Sequence, residues 1–174
     1  MNSRASLIAF VAAVVVQVLI LVGLPARKAM TLATGKSAVL QVSPVDPYSI
    51  LSGYYVTLGY EISNFSAFPN APQFSDGDSC YAVIERGDEG VWRPVSLERE
   101  LPADLPDNRA AILGRVRHRT IEYGIENFYI PETWRDAIAD DLNRNLDKAR
   151  VEVKIDGSGN AALERLRIED RVYE

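Results

Sequence analysis

Polarity along the chain changes character near residue 25. From residue 5 to residue 24 the run ASLIAFVAAVVVQVLILVGL is broken only by Ser6, Gln17 and Gly23, and by no charge. Twenty helical residues rise about 30 Å, the depth of a bilayer's hydrocarbon. Thirteen of the twenty are Leu, Ile, Val or Phe. Each favours insertion by roughly 0.3–0.6 kcal/mol at mid-span, together enough to absorb one glutamine. A segment without a polar face has no side to turn to water, so a single membrane-spanning helix is expected. Pro25 and the Arg27-Lys28 pair mark its exit, and residues 25–36 are expected to continue as helix until Gly35 stops it. The competing reading is a cleaved signal peptide. Its apolar core is usually roughly 7–15 residues long, and here Arg27 and Lys28 stand where small residues would be cut.

Beyond the anchor the pattern shifts to alternation. Val39 to Val42 begins a first strand, and residues 54–62 form a second. There Tyr54, Val56, Leu58 and Tyr60 share one face, and Tyr55, Thr57, Gly59 and Glu61 the other. Residues 64–79, rich in Asn, Pro, Ser and Asp, read as a long and mobile loop. Cys80 to Glu85 and Val91 to Leu97 form a hairpin about Gly87-Asp88-Glu89-Gly90, with Pro94 assigning the second strand to a sheet edge. Ala110 to Val116 and Ile125 to Ile130 add two strands. From Pro131 the period becomes helical, with Trp134, Ala137, Ile138, Leu142 and Leu146 on one stripe. Val151 to Ile155 and Ala162 to Ile168 flank Asp156-Gly157-Ser158-Gly159-Asn160, the strongest hairpin signal in the chain. The chain thus divides into residues 1–36, the anchor and exit segment, and 37–174, a β-rich polar domain. The expected class is mainly β (α+β): about eight strands in a small antiparallel sheet or barrel, covered by one amphipathic helix.

Charge narrows the partners. No acidic residue precedes Asp46, whereas Arg4, Arg27, Lys28 and Lys36 are basic. Residues 37–174 therefore hold all 24 acidic side chains against 15 of the 19 basic ones, a balance of −9. Such a surface repels phosphate, so no nucleic acid is expected as a partner. The single Cys80 and single His118 rule out an intrachain disulfide, a four-cysteine zinc site and any multi-histidine metal site, and neither metal nor cofactor is expected.

Residues 44–60, PVDPYSILSGYYVTLGY, resemble the GDYXXLXY family of membrane-anchored bacterial proteins. Gly53, Tyr55, Leu58 and Tyr60 fall on its fixed positions, while Tyr54 stands at its aspartate position. The Pro-x-Asp-Pro turn before them is similar to the family's, as is Tyr123-Gly124-Ile125-Glu126 followed by Phe128 and Pro131-Glu132. The resemblance implies one span, a small domain and no assigned reaction.

Candidate chemistry is sparse. Asp46 is held between two prolines, as a base, a ligand or simply an Asp turn. Glu122 and Glu126, four apart, share a face if one regular strand carries both, as paired acid–base carboxylates require. Glu132 sits at a helix start, where the dipole favours an acid. Glu126 is the strongest single candidate. Arg115, Arg117 and Arg119 form a basic stripe for a headgroup, a phosphate or an acidic partner, unless a turn near His118 dissolves it. Phe65, Phe68 and Phe74 either meet a partner or anchor their own loop. The resulting expectation is a non-enzymatic envelope interaction module, tethered through residues 5–24, working with another membrane protein, its polar domain extracytoplasmic. The alternative is a carboxylate-dependent envelope hydrolase.

Overall fold

The computed structural model describes residues 3–43, 51–52 and 55–173. Helix α1, Ser3–Thr34, runs unbroken through Pro25, whose ring removes one backbone donor. Its apolar side chains point outward: Leu7, Phe10 and Leu21 are each more than 60% exposed, and none of the other described residues covers this stretch. The helix is long and apolar enough to cross a membrane.

Its last turn docks. Thr31 is buried, and its Oγ1 donates to Asp156 Oδ2 at 2.9 Å. The Gly35 N–H donates to the Thr31 carbonyl at 2.8 Å and ends the helix. A Cβ on Gly35 would stand 2.5 Å from that carbonyl oxygen and 2.9 Å from the Ile155 nitrogen, so only glycine lets the chain leave α1 at this point. Burial alone would raise the Asp156 pKa. Hydrogen bonds from the Asn160 amide, Thr31 and the Ser158 and Asn160 N–H groups outweigh it and hold the carboxyl below its ordinary value.

The chain then enters the strands: β1 Lys36–Ser43, β2 Leu51–Ser52, β3 Tyr55–Thr57, β4 Gly59–Tyr60, β5 Ser79–Arg86, β6 Val91–Glu98, β7 Arg109–Arg117, β8 Thr120–Glu122 and β9 Asn127–Tyr129. Helix α2, Arg135–Asn145, follows, and then β10 Ala149–Ile155, β11 Ala161–Ile168 and β12 Arg171–Tyr173. The main sheet has the order β12-β11-β10-β1-β6-β5-β7-β8, with β4 added to the end of β1; β2, β3 and β9 form a small second sheet. All pairings are antiparallel except the short one between β1 and β6, Val39 with Val91 and Leu40 with Trp92.

The main sheet curls. The Leu113 N–H of β7 donates 2.8 Å to the Gly159 carbonyl at the tip of the β10–β11 hairpin, though three strands lie between β10 and β7. The result is a half-barrel whose concave face is filled by alternating residues, among them Leu40, Val151, Val153, Ile84 and Ile112, each below 2% exposed. A fully buried side chain of this size stabilises the fold by about 1.5–3 kcal/mol over an exposed one. Both edge strands are three residues long, which leaves little edge for another chain to pair with. Helix α2 lies over the β11–β12 side. Ile138 and Leu142 face inward, Trp134 meets Tyr173 edge-on at 5.8 Å, and Asp141 accepts bonds from Arg171 (3.0 Å) and the Tyr173 hydroxyl (2.6 Å).

Several expectations change. The alternation over 54–62 does not make one strand. Val56, Leu58 and Tyr60 are buried as expected, but Leu58 separates β3 from β4, and 61–63 forms a 3-10 turn. The two halves serve different sheets, a division that periodicity does not encode. Strand β6 is interior rather than an edge. Pro94 is tolerated because pairing with β1 stops at Trp92 and because a bulge on the β5 side places it. The strand 125–130 shrinks to 127–129, β8 and β12 were not anticipated, and Ala137 is exposed rather than on the buried stripe. Loop 64–79 is pinned, not loose. Phe68 is buried, Phe65 and Phe74 pack on the core, the Arg99 guanidinium lies 4.9 Å over the Phe74 ring, and Val116 exchanges backbone bonds with Gly77 and Asp78.

Gly35→Ala is expected to destabilise the full-length protein by about 2 kcal/mol, since the clash is with backbone that cannot rotate away. Gly157→Ala, whose Cβ would meet nothing within 4 Å, is expected to stay within about 0.5 kcal/mol of wild type. Denaturant titration in detergent reads both, and equal midpoints for the two variants would contradict the joint.

Candidate functional site

The two stretches that carry the sequence resemblance meet in space. Strand β3 pairs with β9, Tyr55 opposite Tyr129, Val56 opposite Phe128 and Thr57 opposite Asn127. Beyond the ladder, the Leu58 N–H donates to the Glu126 carbonyl at 2.7 Å. Two buried tyrosines stitch the stretches crosswise: the Tyr60 hydroxyl donates to the Ile125 carbonyl at 2.7 Å, and the Tyr123 hydroxyl to the Ile62 carbonyl at 2.5 Å. Gly124, at φ +76°, reverses the chain between them, a backbone shape that side chains disfavour. The Glu126 carboxylate closes that turn by accepting the Tyr123 N–H. Desolvation, with Glu126 adding, pushes the Tyr60 phenol well above its ordinary pKa. Tyr123 rises too, first through desolvation and then through Cys80 and Glu126. Both phenols stay protonated and serve as donors.

The remaining candidates scatter. Asp46, Gly53 and Tyr54, at the family's aspartate position, lie outside the described residues. Glu122 and Glu126 do not share a strand face, because β8 ends at Glu122 and Gly124 turns the chain. Glu122 pairs instead with Arg117 across the hairpin at 3.5 Å. Glu132 is exposed in the 3-10 turn before α2. The arginine stripe is dissolved. His118 and Arg119, at φ +47° and +68°, form the two-residue turn between β7 and β8, and the Arg115 Nε bonds the Gly77 carbonyl. Tyr55 faces outward and carries Tyr129 at 5.9 Å between ring centroids.

Of the clefts that gather residues distant in sequence, two hold candidate or matched-motif side chains or backbone. An outer cleft of about 760 Å³ opens between loop 64–76 and the β7–β8 turn, with Asn64, Gln73, Asp76, His118 and Arg119 around Phe65 and Phe74. Asp76 Oδ1 accepts the His118 backbone N–H at 2.7 Å rather than an imidazole proton, so this contact is not an acid–base relay. A second cleft, about 730 Å³, lies beside the end of α1. Arg27, Lys28, Met30, Thr31 and Thr34 face Gly124 and the Asp156–Ala161 hairpin tip across it. Neither cleft is visible in the sequence, since each joins segments that only the curled sheet brings together. The one local signal is Arg27-Lys28 after the apolar run. Among the described residues no three His, Cys, Asp or Glu side chains cluster as a metal ion requires. Cys80 is fully buried, and desolvation, with Asp78 adding, pushes its thiol up to about 11.

Comparison with known proteins gives one match. A protein-family model described as "GDYXXLXY protein" matches residues 17–166, which takes in the clasp, both clefts and most of the sheet. No curated protein and no solved structure matches the chain.

Tyr123→Phe is expected to cost about 1–3 kcal/mol of stability, because it leaves the buried Ile62 carbonyl without its donor. Chemical denaturation tests this, and an unchanged midpoint would show the clasp to be dispensable. Cys80 is expected to resist a maleimide at pH 8 in the folded protein, where a thiol titrating near 11 is almost wholly protonated. It is expected to react at once in denaturant. Prompt labelling of the native state would contradict its burial.

Proposed function

The chain belongs to the GDYXXLXY family, and on that footing we propose that it is a single-pass, membrane-anchored interaction module that holds an aromatic surface in fixed orientation for another membrane protein. The observation that carries this reading is the division of labour within the matched motifs. Leu58, Tyr60 and Tyr123 point inward and lock the fold, while Tyr55 points outward beneath Tyr129, which at 71% is the most exposed large apolar side chain among the described residues of the β-rich body. Exposed aromatics of this kind are favoured at recognition surfaces. The rigid joint of Thr31 and Gly35 supports the reading, because it couples the position of that surface to α1. Glu126, the carboxylate on which hydrolase chemistry would lean, is spent on the Tyr123 turn. The uncovered apolar helix supports placement at a membrane face, and the acidic balance and single cysteine of residues 37–174 suit an oxidising compartment, the basis for reading the body as extracytoplasmic.

Photo-crosslinking from position 129 in native membranes tests this, with position 88 on the β5–β6 turn as control. A discrete adduct from 129 that is absent from 88 is expected. Identical patterns from both positions would overturn the aromatic surface. Protease added to intact spheroplasts is expected to degrade the body, and full protection would reverse the orientation.

A further inference from the structure

We propose that the cleft beside the end of α1 binds the headgroup phosphate of an anionic phospholipid. This rests on the reading above that α1 spans a bilayer. The first ground is depth. The apolar run ends at residue 24, so Arg27 and Lys28 follow by about 4.5–6 Å along the helix axis. The headgroup layer occupies roughly 5–8 Å on each side of the hydrocarbon. The mouth of the cleft therefore lies at the level of the phosphates.

The second ground is charge. Arg27 and Lys28 line the cleft, both are exposed, and neither has an ion-pair partner among the described residues. The one carboxylate in the cleft, Asp156, is already satisfied by Thr31, by the Ser158 and Asn160 N–H groups and by the Asn160 amide. It therefore competes weakly for the two cations. Residues 37–174 are net acidic, so these two cations offer an anion a field that the rest of the chain as a whole does not.

The third ground is shape, and it separates a lipid from free phosphate. Met30, 69% exposed, lines the same cleft beside the two cations. An apolar side chain there matches glycerol and the first acyl carbons, and gives nothing to an inorganic ion. Opposite it, Gly124 presents bare backbone with open space at its missing Cβ. The matched-motif glycine is thus a wall of the cleft as well as the pivot of the clasp.

Full-length protein in phosphatidylcholine nanodiscs with one-fifth phosphatidylglycerol, followed by native mass spectrometry of retained lipid, tests the site. Phosphatidylglycerol is expected to be enriched over its bulk share. At about 1 kcal/mol per surface cation, the Arg27→Gln/Lys28→Gln double variant is expected to lose about thirtyfold in this preference. Ser158→Glu, which leaves both cations in place but puts an anion across from them, is expected to lower retention as well. Ser66→Glu, on the outer cleft, is expected to leave it unchanged. Retention unaffected by Ser158→Glu would overturn the cleft and leave only generic attraction by flanking charge. Displacement of the lipid by millimolar inorganic phosphate would overturn the headgroup assignment. Liposome flotation separates the two levels: a chain that fails to float overturns the anchoring itself, whereas one that floats without lipid preference overturns the headgroup site alone.

Discussion

The Thr31–Asp156 bond and the glycine that follows it govern how this chain is put together. A helix apolar enough to cross a membrane, joined to a sheet, needs a junction whose buried backbone groups are satisfied within the protein, since an apolar surrounding supplies no partners. Here the last turn of α1 ends against the β10–β11 hairpin, and β1 starts one residue later in the middle of the sheet. Helix α1 is therefore continuous with the centre of the fold rather than strung to its edge. The other strands of the main sheet take their positions, directly or through neighbours, from β1.

That arrangement explains why the matched motifs are rich in tyrosine. The clasp must bridge a main sheet and a three-stranded satellite, and each bridge ends on a backbone carbonyl buried away from water. Tyrosine fills the gap with an aromatic body and supplies one donor at its tip. Tyr60 and Tyr123 do this from opposite sides, toward Ile125 and Ile62. Tyr55, five residues before Tyr60 and on β3 rather than β4, has the opposite parity and pairs with Tyr129 toward the surface. One alternating pattern, divided between two sheets, thus yields both a lock and an exposed platform. The same turn at Gly124 shapes the cleft beside the end of α1.

Electrostatics sorts the surface in a similar way. The cations of α1 follow its apolar run, while several arginines of the sheet pair with acids: Arg117 with Glu122, Arg167 with Glu152, Arg171 with Asp141. Exposed pairs of this kind add little stability each. Their effect is to leave the Arg27–Lys28 end as the distinctive positive feature of an otherwise acidic molecule.

The order of residues alone determined the spanning-length helix, its stop at Gly35, both long hairpins and the inward face of Val56, Leu58 and Tyr60. Each of these follows from local rules: hydrophobic period, turn chemistry and the conformational freedom of glycine. Tertiary structure decided the rest. It split 55–60 between two sheets, placed Pro94's strand in the sheet interior, turned Glu126 into its own loop, broke the arginine row at His118 and assembled clefts from segments dozens of residues apart. Those outcomes depend on which strand lies beside which and on how far the sheet curls. Neighbour choice and curl are set by the packing of the whole core, and no window of consecutive residues contains that information.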